Sequence, residues 1–171
     1  MKTVPVLHYP NKNLRSRAAI VEDFFFGTKE LHALLETMTS TMRKLRGIGI
    51  AAPQIDVAKQ VVVIELQDAP LIVINPRIQN PAKRLEVDEE GCLSVPGVFG
   101  HVNRAAHLSL TAYDEHGTQY SLKAHGLFAR VIQHEVDHLH GHLFIDRCHH
   151  LTSGIDQAKK LGLDIPPLHQ T

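Results

Sequence analysis

The segment His134-Glu135-Val136-Asp137-His138 sets two imidazoles four residues apart, with a carboxylate beside the first. On a helix that spacing puts both rings on one face, where they can share an ion, and leaves Glu135 in reach of a water there. The chemistry this suits is metal-assisted hydrolysis, with Glu135 as acid and base. The competing reading is a set of polar groups satisfied within a core. Two histidines and two carboxylates on an otherwise apolar helix each need a partner, however, and a metal supplies one. A catalytic site of the zinc type wants three protein ligands and an open fourth position. No His-x-x-Gly-x-x-His continuation follows His138. His140 and His142 lie at or past the Gly141 stop and read as exposed histidines at the negative helix end. His149 and His150 read as solvated side chains in a polar tail. Cys92, in Glu90-Gly91-Cys92-Leu93-Ser94, is the better third ligand, since Gly91 permits an unusual backbone beside the thiol. Taken alone a cysteine is more often an apolar core residue, which is the reading adopted for Cys148.

Something must carry those residues. Gly126–His140 reads as a helix stopped by Gly141, with Leu127, Val131 and Leu139 on one stripe and Phe128, Ile132 and Val136 beside it. A helix this apolar belongs at the centre of a fold. Thr28–Arg46 reads as an amphipathic helix, with Thr28 as N-cap, Gly47 as stop, and Leu31, Leu34, Leu35, Met38, Met42 and Leu45 at helical spacing. Val61–Leu66 and Leu71–Ile74, the latter ended by Asn75-Pro76, read as strands, as do Leu85–Glu90, His107–Tyr113 and Gln119–Ala124. Asp114-Glu115-His116-Gly117 reads as a hairpin turn. Helix, strands, helix predicts an α+β fold: antiparallel or mixed sheets around a central C-terminal helix that carries the metal motif, with an amphipathic helix near the N-terminus.

The chain of 171 residues predicts one domain over 1–171, with a tail from about residue 150 loosely held. Lys plus Arg and Asp plus Glu both number 18, and this balance, with no basic run, speaks against nucleic-acid or anionic-membrane binding. Two cysteines are too few for a disulfide framework, and a free Cys92 thiolate suits a reducing cytoplasm. Met1–Pro10 does not read as a signal peptide.

With three segments in register, the chain resembles the bacterial peptide deformylases. The segments are Gly47-Ile48-Gly49-Ile50-Ala51-Ala52-Pro53-Gln54, Glu90-Gly91-Cys92-Leu93-Ser94 and Gln133-His134-Glu135-Val136-Asp137-His138. Asn75-Pro76 and the stretch from Gly126 to Phe144 fit too, so the likeness runs from about Val4 to Asp146. The resemblance implies removal of the formyl group from the N-terminal formylmethionine of new polypeptides, with release of formate. It implies one divalent metal on Cys92, His134 and His138, Fe(II) foremost, with zinc or nickel able to replace it. It implies Glu135 as acid and base, Gln54 and the Leu93 N–H as oxyanion donors, and Glu90 orienting a ligand histidine. It implies that Gly47, Ile48 and Gly49 pair with the substrate backbone, and that Ile48, Leu127 and Val131 hold the methionine, against a reading of those three as ordinary core. Asp137 reads as an ion-pair partner of Arg104. Implied partners are formyl-Met nascent chains in a bacterial cytoplasm and transient ribosome contact, although the tail shows no obvious basic helix for that. The likeness departs at Phe99, where some deformylases carry an arginine near the cleft.

Three rivals stand beside this reading. A peptidase cutting internal bonds would take a downstream third ligand. A binding module would have lost catalysis. A structural zinc site would want a fourth ligand, for which Cys148 is the spare thiol.

Overall fold

A computed structural model describes residues 2–168. The Thr28 hydroxyl accepts the Leu31 N–H at 3.2 Å and starts helix α1 (Lys29–Lys44), a cap worth about 1 kcal/mol. The left-handed residue at its end is Arg46, with φ 57°, and not the expected Gly47. Gly47 is small for another reason: a Cβ there would lie 3.0 Å from Leu93 Cδ1.

Strands β1 (Gly49–Ala51), β2 (Val61–Ile64) and β3 (Leu71–Gln79) follow. After them come β4 (Leu85–Cys92), β5 (Val95–Ala105), β6 (His107–Tyr113) and β7 (Gln119–His125). Helix α2 (Gly126–Leu139), β8 (Cys148–Ser153) and α3 (Ile155–Lys160) complete the chain. The strands form one five-stranded sheet, ordered β1-β2-β3-β6-β7, and one three-stranded sheet, ordered β4-β5-β8. Every strand pairing within them is antiparallel. The fold is therefore α+β, as expected.

Strand β2 explains how the large sheet is held. Its successive residues alternate faces: Val62 and Ile64 pack with Ile132, Val136 and Leu139 of α2, while Val61 and Val63 pack with Leu31, Met38 and Met42 of α1. An uninterrupted apolar run is what a strand covered on both faces requires. Helix α2 also touches β5 of the small sheet, so the metal motif lies where the two sheets meet.

Four expectations need correction. β3 does not stop at Asn75-Pro76. Asn75 takes φ 50° and the register against β6 shifts between Ile74 and Arg77, so Pro76 sits at a bulge, where its missing N–H is tolerated. The Asn75 side chain clamps the Val21 N–H and C=O at 2.8 Å each. Second, β1 and β5 are strands that period-2 reading passed over, β1 because it is fully buried and glycine-led. Third, His149 and His150 are half-buried in β8 rather than solvated. Fourth, the described part of the tail, residues 150–168, is tied down. Leu151 and Ala158 are buried with Val98 and Val102 of β5.

Candidate metal centre

Three elements bring the functional side chains to the centre: the turn after β1, the end of β4, and α2. Gln54 lies in a 3-10 turn (Ala52–Ile55) directly after β1. Its Oε1 accepts the Ala51 N–H at 2.8 Å and its Nε2 donates to Ser94 Oγ at 3.2 Å, which fixes the amide's orientation. The same Nε2 is 3.5 Å from Cys92 Sγ. Cys92 ends β4, where the register against β5 shifts after Gly91. The Ser94 N–H donates to its sulfur at 3.4 Å. His134 and His138 come from one face of α2, their ring centroids 5.1 Å apart.

The three donors converge. Cys92 Sγ is 3.2 Å from His138 Nε2, and one ligand atom from each of Cys92, His134 and His138 lies within 4.8 Å of the others. Ligands of a single tetrahedral ion sit roughly 3.3–3.6 Å apart at usual bond lengths, so the cluster is close to the spacing a metal demands. His134 Nδ1 is 2.9 Å from Glu90 Oε2. That bond places the proton on Nδ1 and leaves the Nε2 lone pair for a cation. Among the described residues, the buried Oε2 of Glu135 and Nδ1 of His138 have no hydrogen-bond partner. An unpartnered buried carboxylate oxygen beside three ligand atoms fits a water held there with a metal. The residues present therefore fit a single divalent ion.

The electrostatics agree. Burial would raise the Cys92 thiol, but the charge of His138 and hydrogen bonds from both histidines hold it well below its ordinary value. Burial alone would lower His134, yet Cys92 and Glu90 hold it well above. Both shifts favour opposite charges on the two groups, the setting in which a cation would take the place of a proton between them. Burial raises the Glu135 carboxyl, against the pull of His134 and His138. Glu90 is the reverse: burial would raise it, but hydrogen bonds from His134 and Arg104 hold it far below the carboxylate range.

Glu90 is held by more than sequence reading found. Arg104 grips both its oxygens, at 2.9 and 3.0 Å, and Arg130 Nη1 adds a third bond at 2.9 Å. Arg130 also donates to the Val102 and Glu86 carbonyls, at 2.8 and 2.6 Å. Arg104 continues to Asp137 at 2.5 Å, and Arg147 closes on Asp137 at 2.7 and 2.8 Å. Arg130 stands one turn before His134 on the apolar helix. A guanidinium there needed a carboxylate, and that was the available signal. Ser94, the partner of Gln54, carried no such signal.

A cleft of about 690 Å³ opens onto the centre. Its lining includes Gly47, Ile48, Gly49, Gln54, Glu90, Leu93, Leu127, Val131, His134 and Glu135, together with Phe99 and Arg46. Ile48 and Leu127 are 54% and 64% exposed, so they are not core residues, whereas Val131 is buried. Gly49 leaves the Glu135 carboxylate its room: a Cβ there would stand 2.4 Å from Glu135 Oε1. At Gly91 it would stand 2.4 Å from the Phe99 ring. Cys148 lies outside the cluster, its Sγ donating to the His150 carbonyl at 3.3 Å, and both cysteines are free. His140 and His142 are exposed, and His140 Nδ1 caps the Val136 carbonyl at 2.9 Å.

The comparisons with known proteins point one way. The model of the polypeptide deformylase family matches residues 3–153. Peptide deformylase 1 of Shewanella oneidensis is 42% identical over 149 residues, which cover 85% of this chain and 86% of that protein. The crystal structure of a peptide deformylase from Synechococcus elongatus in complex with actinonin aligns with a TM-score of 0.84 and 37% identity, over 96% of this chain and 92% of that one. A Met-Ala-Ser-bound class I type b peptide deformylase from Acinetobacter baumannii aligns with a TM-score of 0.82 and 32% identity, over 85% and 98%.

Proposed function

Because this chain belongs to the polypeptide deformylase family, enzymes that remove the N-formyl group from nascent polypeptides, we propose how its own residues divide that work. Cys92, His134 and His138 hold one divalent metal. A thiolate with two imidazoles suits Fe(II), zinc and nickel, and we assign Fe(II) as the resident ion. The chemistry a bound metal supplies is Lewis acidity toward the attacking water and the formyl carbonyl.

Glu135 takes the proton of that water on Oε2, the buried oxygen without a partner, and returns it to the departing amine. Its raised proton affinity, caused first by burial, suits a group that must hold the proton between the two steps. Gln54 Nε2, oriented by Ser94 and Ala51, and the Leu93 backbone N–H stabilise the developing oxyanion. Each such donor is worth about 3 kcal/mol. Glu90, held by Arg104 and Arg130, keeps His134 in the tautomer that leaves Nε2 free. The Gly47–Gly49 backbone pairs with the extended substrate. Ile48, Leu127 and Val131 receive the methionine side chain, a placement supported by the exposed apolar rim and by the peptide-bound relative. The chain acts as a single catalytic unit, since α2 packs on both sheets. Its substrates are formyl-Met nascent chains met at the ribosome in the cytoplasm. No helix among the described residues is long and apolar enough to cross a membrane.

The observation that carries this reading is the Cys92–His134–His138 cluster beside the unpartnered Glu135 Oε2, inside one cleft. The test is formate release from a formyl-Met peptide by anaerobically purified protein, with metal analysis of the same sample. About one metal per chain together with formate release is the expected result. Full metal content with no formate overturns it.

A further inference from the structure

The cleft wall is apolar near the centre but ends on a charge. Chain direction orders it. Gly49 lies against Glu135 at the reacting end, Ile48 and Gly47 follow, and Arg46 with Leu45 forms the far end. Arg46 is exposed, lines the cleft and makes no ion pair among the described residues. Its left-handed backbone, φ 57°, turns the chain there between α1 and β1. The buried charges on the cleft are already engaged: Glu90 is bound by Arg104, Arg130 and His134, and Glu135 faces the metal ligands. Glu89, also in the lining, is exposed and accepts a hydrogen bond from the Thr152 hydroxyl.

Resting on the deformylase reading, we propose that Arg46 is a specificity-determining residue that favours nascent chains with Asp or Glu at the third position. An extended peptide advances about 3.3 Å per residue, in step with the strand it pairs with. With the formyl group at Gly49 and the methionine alongside Ile48, the second residue lies alongside Gly47 and the third alongside Arg46. The side chain it meets is a guanidinium with no carboxylate of its own, which matches a carboxylate bidentately. A basic third residue meets like charge instead. Arg46 stands remote from the bond that breaks, so the preference belongs in KM and leaves kcat unchanged.

The test compares formyl-Met-Ala-Asp, formyl-Met-Ala-Ser and formyl-Met-Ala-Lys as substrates of the metal-loaded enzyme. At low ionic strength kcat/KM should fall in that order, by about threefold to fivefold between the extremes, the scale of one exposed charge pair, and the spread should shrink in about 0.5 M salt. Arg46→Gln should flatten the series and Arg46→Glu should invert it. Lys44→Glu, the same change of charge two residues away and outside the cleft, should leave the order intact. Formate release without discrimination, or an order unchanged in Arg46→Glu, overturns the role of Arg46 and leaves the deformylase reading standing. No formate from any of the three peptides overturns both.

Discussion

Gly49→Ala should disable the reaction while sparing both fold and metal. The new Cβ would stand 2.4 Å from Glu135 Oε1, 2.8 Å from its Cδ and 2.9 Å from its Cγ. At an ordinary separation of roughly 3.5 Å, the carboxylate must retreat by about 1 Å. The Gly49 backbone is not left-handed, so alanine itself is admissible there. Overpacking costs about 1–3 kcal/mol, offset in part by the lost backbone freedom of glycine, about 0.4–1 kcal/mol. The net is about 1–2 kcal/mol, too little to unfold a typical domain. Displacing a proton-transfer group by 1 Å costs on the order of a hundredfold in rate. Glu135 is not itself a ligand, so about one metal per chain should remain, the same signature expected of Glu135→Gln. The assay is the initial rate of formate release at saturating formyl-Met peptide, with metal content and a thermal melt on the same sample. A folded, metalled variant with kcat within about threefold of wild type would refute the placement of Glu135 as the proton carrier.

Gln54→Leu removes a donor 3.5 Å from Cys92 Sγ and should lower kcat by about a hundredfold with little change in KM; a change confined to KM would place Gln54 in substrate binding instead. Cys92→Ala should bind metal weakly and be inactive. Cys148→Ala should match wild type, including loss of activity in air when iron-loaded and a slower loss when nickel-loaded. Full activity of Cys92→Ala would remove the three-ligand site. Arg104→Met takes a buried guanidinium from both Glu90 and Asp137. Arg130 and Arg147 remain on those carboxylates, so the cost should sit near the low end for a broken buried pair, about 3 kcal/mol by urea unfolding. A midpoint that hardly moves would mean the network contributes little to stability.

What the sequence determined by itself is what local geometry determines. The 3.6-residue period placed both long helices to within two residues at each end, and the spacing of His134 and His138 settled that they share a face. The Glu90-Gly91-Cys92 segment singled out a thiol at a strand end. Tertiary structure decided everything that depends on residues far apart in the chain. Arg130, Glu90, Arg104 and Asp137 form one buried chain of charge because α2, β4 and β5 meet, and the exposed Arg147 closes its end. No period or spacing encodes that, since each member is satisfied only by another element. The same holds for Gly49, which leaves room for a side chain 86 positions away in Glu135. It holds too for β8, whose half-buried histidines looked solvated until β5 was there to pair with them. Burial and pairing are properties of the assembled sheets, and the chain can state only which residues would tolerate them.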